Sequence, residues 1–257
     1  MTLEELKIYW LQTEGLTLAN LKSRYRGTWT GFIWTILNPL IMFGAQSFAF
    51  NYILKIQIHN YSLFLLSGLL PWLFLNQTIE MGMGTLQASG RLLKSFPIHP
   101  FVLICAVVIE NFFNFFVAFV VTILPSMFLL EIPILYILLA PLAFFSLFIG
   151  TITLTSLAAI ANVFYRDLRF ILRFILSISF FFTPIFYDIS IVPVKLKWIV
   201  SFNVFYYMIV PFRQLLHEQN LWSFATAIVE VFFIDIGLIG LTFYYWKRKR
   251  NELYSRL

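Results

Sequence analysis

The sequence predicts an all-α integral membrane protein of about six transmembrane helices, with an N-terminal interfacial helix and a re-entrant external helical hairpin before the last span. Three observations carry this prediction: a composition too apolar for water, six apolar stretches of near-spanning length, and cationic residues gathered on one side of the resulting topology. Of 257 residues, 60% are hydrophobic and 12% charged, against roughly 25% charged in soluble domains. Mean hydropathy is +0.85. The apolar runs consume most of the length, so residues 1–257 read as a single transmembrane domain with no sizeable soluble part. The net charge of +6 follows membrane topology, and no nucleic-acid partner is expected.

Residues 1–29 read as an interfacial cytoplasmic helix. Leu18, Leu21 and Tyr25 recur at helical spacing, Lys22 and Arg26 are offset from them, and Trp10 and Trp29 are headgroup anchors. The charges scattered through residues 1–27 do not form the compact apolar core of a signal peptide. A bilayer core needs about 20 apolar helical residues. Residues 30–54, 62–85, 101–130, 134–164, 170–187 and 222–246 meet or approach that length. They are continuously apolar rather than alternating, which argues against a barrel.

Residues 196–216 tempt a seventh span but contain Asn203, Pro211 and Arg213. Charge decides. Six spans with both termini inside put 14 of the 18 Lys and Arg on the cytoplasmic side, leaving Lys55, Lys195, Lys197 and Arg213 outside. A seventh span would move the Lys247–Arg250 cluster outside. Residues 188–221 are therefore expected to dip into the membrane from outside and return, and 247–257 to form a basic cytoplasmic tail.

Catalytic patterns are absent from the sequence. His59, His99 and His217 fall in different loops, Cys105 stands alone in an apolar run, and there is no P-loop. ATP-driven transport would need a separate ATPase; no catalytic, cofactor or metal residue is expected in this chain. Glu80, Glu110, Glu230 and Asp235 sit in apolar runs, where a charge costs about 2.5–3.5 kcal/mol. They read as interhelical pairs, with Arg91 within reach of Glu80 and Glu110, or as a proton or cation path. Glu230 and Asp235 are five residues apart, off a common helix face. The loop at 87–100 carries Arg91 and Lys94 around Leu92 and Leu93. It is either a short amphipathic helix ended by Pro97 and Pro100, suited to a groove on a partner, or a basic turn. The 31 Phe, 12 Tyr and 7 Trp are lipid-facing or interfacial by default, and their faces are also compatible with a path along which sugar rings slide.

Several segments recur in a familiar order: Arg24-Tyr25-Arg26-Gly27, Gly31-Phe32-Ile33-Trp34, Leu37-Asn38-Pro39-Leu40, then Asn162-Val163-Phe164-Tyr165-Arg166-Asp167-Leu168 and Thr183-Pro184-Ile185-Phe186-Tyr187. The chain resembles the permease subunit of type-2 ABC exporters, in the polysaccharide branch that exports O-antigen, capsule or teichoic acid, over nearly its whole length. The resemblance implies a homodimer in the bacterial cytoplasmic membrane. Two copies of a separate P-loop ATPase would bind ATP and Mg, and the cargo would be lipid-linked polysaccharide. It makes Gly90, Arg91, Leu92, Leu93, Lys94, Phe96 and Pro97 the coupling helix. Spans one and five would line the path, with Trp34, Phe43, Phe180, Phe181 and Tyr187 on it. Lys22, Arg24 and Arg26 would form the basic inner interface, and Pro193, Trp198, Asn203, Tyr206 and Tyr207 the external gate. One departure is visible: Asn203 precedes Val204 where the family often has proline. The alternatives are a type-2 exporter of drug or lipid, or a proton-coupled carrier.

Overall fold

A computed structural model describes residues 3–25, 29–53, 58–129, 132–165 and 167–256. These residues form helices, turns and loops, with no strand among them. In chain order the helices are α1 (Leu3–Tyr25), α2 (Trp29–Ser47), α3 (Tyr61–Gly82), α4 (Thr85–Ala88), α5 (Gly90–Ser95), α6 (Pro100–Leu129), α7 (Ile134–Phe164), α8 (Leu168–Phe182), α9 (Lys197–Ser201), α10 (Val204–Arg213) and α11 (Leu221–Arg256). A π-helical turn, Phe48–Ile53, continues α2, and another, Gln214–Glu218, continues α10.

Four helical stretches among the described residues are long and apolar enough to cross a bilayer: Tyr61–Ala88, Pro100–Ile123, Ile134–Phe164 and Leu221–Arg256. A fifth candidate is the pair Val194–Ser201 and Val204–Glu218, bent by 93°. That sharp turn lies where the sequence predicts a hairpin. The expected first span corresponds to α2 and its π-turn. The expected fifth span is shorter than read from composition, because α8 has 15 residues and covers about 22 Å. It stops at Phe182 because Thr183 precedes Pro184, and a residue before proline is driven to extended backbone (φ −88°, ψ 126°). Residues 183–186 then run buried into the protein. The expected basic tail is helical, since α11 continues to Arg256 without a break.

Helix α3 is central, touching α2, α6, α7, α8 and α10. Leu65, Leu69 and Leu75 are wholly buried on it. Small residues permit close approach: a Cβ on Gly82 would fall 2.0 Å from the Thr155 methyl of α7. Part of the aromatic content fills this core rather than facing lipid. Phe144 packs edge-on against Phe119 at 4.8 Å and Phe212 at 5.4 Å.

Helix α1 packs on α6 through a polar face that the sequence reading did not single out. Thr13 and Thr17 are its buried residues, whereas Leu18 is 48% exposed. Both threonine hydroxyls bond back to their own helix, Thr13 to the Tyr9 carbonyl at 2.7 Å and Thr17 to the Thr13 carbonyl at 2.8 Å. The physical reason is the partner: α6 offers Glu110, Asn111 and Asn114 to this side, so polar groups of α1 turn inward. Leu6, Trp10 and Leu18 turn outward, where a membrane supplies hydrocarbon.

Candidate functional site

Three regions gather the residues singled out from sequence. At the first, α4 and α5 make a tight corner between α3 and α6. Gly90 and Leu93 are buried and Leu92 half-buried, while Arg91, Lys94, Phe96 and Pro97 are exposed. The amphipathic helix is thus present, six residues long. It ends where Phe96 turns extended, and Pro100 opens α6 instead of closing α5, in the first-turn position where proline loses no helix bond. The corner is fixed to α7 by Asn162, whose side chain donates to the Met83 carbonyl at 2.9 Å while Gln87 donates to the Asn162 carbonyl at 2.7 Å. Asn162 thus ties the corner between α3 and α4 to α7. Phe96 is 57% exposed, just after the exposed cations Arg91 and Lys94.

At the second, the inner basic residues separate. Lys22 is exposed, and Arg26 lies outside the described residues. Arg24 is engaged internally: its Nε lies 2.8 Å from the Glu110 carboxylate, and its Nη1 donates to Asn111 at 3.4 Å. Glu110 thus finds Arg24 and not Arg91, a partner 86 residues away in sequence that spacing could not reveal. Tyr25 donates to Asn114 at 2.6 Å. These contacts floor a cavity of about 100 Å³ between α2, α3 and α6, with Trp34 and Asn38 on its α2 side. Of the remaining acids, Glu80 is half-buried, Glu230 exposed and Asp235 buried. Glu230 and Asp235 do occupy different faces of α11.

The third region joins the aromatic path residues to the bent helix pair. Phe180 lies 5.4 Å from Phe181 and 5.6 Å from Phe186, Phe186 lies 5.2 Å from Tyr187, and the Tyr187 hydroxyl donates to the Phe181 carbonyl at 3.1 Å. Phe50, at the end of α2, stacks on Phe186 at 4.5 Å and brings that helix into the cluster. Phe43 is half-buried against the core. Trp34, 58% exposed, is not in the cluster and belongs to the polar cavity. Phe50 went unmarked because nothing in the sequence distinguishes it from the other phenylalanines, and Phe186 was noted only as part of the Thr183–Tyr187 motif.

Asn203 caps α10, accepting from the Phe205 N–H at 3.0 Å and the Tyr206 N–H at 3.4 Å, while its Nδ2 donates to Thr183 at 2.8 Å. Val204 takes the first helical position, the slot a proline also fits, so the Asn-Val departure keeps the cap. Tyr206 and Tyr207 stack edge-on at 5.6 Å, Trp198 is 60% exposed, and Pro193 is exposed before a single 3-10 turn.

The residue that sequence reading placed only by its charge is Arg213. It is 6% exposed. Its guanidinium lies 3.9 Å from the centre of the Phe64 ring and donates to the carbonyls of Pro184 and Ile185, at 2.9 Å for the latter. It clamps α10 to the segment after α8 and to α3, and Gly68 leaves it room, since a Cβ there would sit 2.9 Å from Nη2. The signal available was a lone cation amid Val210, Pro211, Phe212, Leu215 and Leu216. His217 reaches the His59 carbonyl at 2.7 Å beside this clamp, so two histidine segments distant in sequence meet here.

Comparison with known proteins decides the class. The family description "ABC-2 type transporter" matches residues 12–217. The chain belongs to the ABC-2 type transporter family. The motif resemblance is thereby upheld, and with it an all-α, multi-pass membrane protein of a transport family. Among curated ABC-2 relatives is the O-antigen export system permease protein RfbA of Myxococcus xanthus, 31% identical over 175 residues, covering 68% of this chain and 67% of that protein. Two Klebsiella pneumoniae proteins of the same name are 25% and 26% identical over 231 and 238 residues, each covering 89% of both chains.

Proposed function

We propose that this chain is the membrane-spanning permease subunit of an ATP-driven exporter that carries lipid-linked polysaccharide across the bacterial cytoplasmic membrane. The observation that carries the cargo assignment is that relatives aligned over 89% of both chains are O-antigen export permeases. The chain acts as a homodimer with two copies of a P-loop ATPase, which binds ATP and Mg; this chain hydrolyses nothing itself. Both termini are cytoplasmic, 1–29 lies on the inner surface, 30–187 holds the first five spans, 188–221 is the external gate, and 222–246 is the sixth span.

The exposed face of α5 supports its role as coupling helix. ATP binding pushes Arg91, Lys94 and Phe96, and the Asn162 contacts carry the push into α3 and α7. At the far end the Arg213 clamp and Asn203 cap hold the gate until the protomers part. The sugar chain then moves along an aromatic wall that includes Phe180, Phe181 and Tyr187, with Lys22 and Arg26 meeting the lipid phosphate. A proton-coupled carrier using Glu80, Glu110, Glu230 or Asp235 is less well supported, because Glu110 is paired with Arg24 and Glu230 is exposed on a different face of α11 from buried Asp235. Deleting the gene in its host is expected to remove surface polysaccharide and leave lipid-linked polymer inside the cell, and the restored gene to reverse this. Unchanged surface polysaccharide in the deletion strain overturns the reading.

A further inference from the structure

The cavity between α2, α3 and α6 has a chemistry that the transport scheme leaves unused. Helices of an apolar bundle carry amide side chains at a cost unless something hydrogen-bonds them. Here Asn38, Gln77, Asn111 and Asn114 converge from three helices on one half-open space of about 100 Å³. Asn111 is fully employed: its Oδ1 accepts from Arg24 and its Nδ2 donates to the Val107 carbonyl at 3.0 Å. Asn114 uses only its Oδ1, for Tyr25. Asn38 and Gln77 are exposed to the cavity and make no hydrogen bond to a described residue. Two complete amides and one spare NH2 group thus line a space that no described side chain fills.

Charge selects the ligand class. Arg24 lines the cavity and would draw phosphate if it were free, but Glu110, outside the lining, matches its charge at 2.8 Å, which leaves the neutral amides to select the ligand. A neutral ligand rich in hydroxyls suits that lining: an amide offers one donor and one acceptor side by side, the complement of two adjacent hydroxyls. The flanking walls suit it too, with Trp34 exposed at the cavity edge and Phe74 and Phe115 buried behind. Aromatic faces cover the C–H surface of a sugar ring while amides take its rim. The volume admits the hydroxyl edge of one ring and leaves the rest in the open cleft.

We infer that the cleft formed by Trp34, Asn38, Gln77 and Asn114 is a saccharide-contact subsite that binds a neutral, hydroxyl-rich unit of the transported polymer. The inference rests on the exporter reading above. It places the first sugar contact on α2 beside the inner basic helix, well before the aromatic cluster at Phe186.

The test uses the full chain with its ATPase in lipid nanodiscs. The probes are polysaccharide cleaved from the host's own lipid-linked polymer, and inorganic pyrophosphate. Saccharide is expected to change tryptophan fluorescence saturably, with a smaller change in Trp34→Phe. The Asn38→Ala/Gln77→Ala variant is expected to bind about tenfold or more weakly, the loss of two neutral hydrogen bonds. Its melting midpoint should match the parent because neither amide is bonded within the described chain. Pyrophosphate should not compete. Equal saccharide affinity in parent and variant overturns the subsite and leaves the exporter intact, as does displacement of the saccharide by pyrophosphate. Should the same parent complex, placed in sealed proteoliposomes, fail to export lipid-linked polymer at all, the exporter reading falls and the subsite with it.

Discussion

Removing either member of the Arg24–Glu110 pair should cost stability unequally. The glutamate side chain is 4% exposed and the arginine 29%. Arg24→Gln leaves a nearly buried carboxylate with only the Asn20 side chain to bond it, and breaking a buried pair in this way costs about 3–5 kcal/mol. Glu110→Gln strands a long cation that keeps Asn111 and can swing its head outward, so about 1–2 kcal/mol is expected. The double variant should fall short of the sum of the singles by about 1–3 kcal/mol, because the second change removes the charge that the first left unpaired. The assay is the thermal unfolding midpoint of the purified chain in detergent. Arg24→Gln should lower it by roughly 6–20 °C at about 2–4 °C per kcal/mol. A larger loss from Glu110→Gln, or strict additivity in the double variant, would refute the reasoning that burial of the carboxylate governs this contact.

Arg213→Gln should destabilise by about 3 kcal/mol or more, read from the same melting curve, since the carbonyls of Pro184 and Ile185 lose a charged donor in a buried site. A midpoint within 2 °C of the parent, on the order of 1 kcal/mol or less, would show that the clamp is dispensable. Asn203→Ala removes a helix cap and the Thr183 bond and should cost about 1–2 kcal/mol, whereas Asn203→Asp should retain most of the cap. The pair Arg91→Glu and Lys94→Glu alters exposed groups only. It should leave the melting midpoint within roughly 2 °C while lowering co-purification of the ATPase. Undiminished co-purification would remove α5 as the docking element.

The elements that solvent preference dictates were legible from the chain alone. Continuous apolar runs gave α3, α6, α7 and α11, because hydrocarbon admits a helix only when its backbone bonds close within it. The amphipathic spacing around Leu92 and Leu93 gave α5. Local chemistry also explains the end of α8, though Pro184 was not used to place it. What could not be read is pairing across distance. Arg24 with Glu110, Asn162 with Met83 and Arg213 with Ile185 join residues that no periodicity connects. Nor did spacing name the face of α1 that packs on α6: the apolar residues Leu18, Leu21 and Tyr25 marked an interfacial helix, and in a membrane the apolar face need not be the packed one. Lipid accepts Leu6 and Trp10, and the polar stripe through Thr13 and Thr17 is left for protein. The same inversion explains why the amides of the α2–α3–α6 cleft drew no attention in sequence. A motif such as Leu37-Asn38-Pro39-Leu40 announces a family, not the cavity its asparagine enters.

Transport itself is the direct measure. The chain and its partner ATPase, reconstituted in proteoliposomes with lipid-linked polysaccharide on the ATPase side, should move the polymer to the opposite leaflet only when ATP and Mg are supplied. The Arg91→Glu/Lys94→Glu form should stay silent. Polymer that crosses without the ATPase, or never crosses with it, would contradict the account.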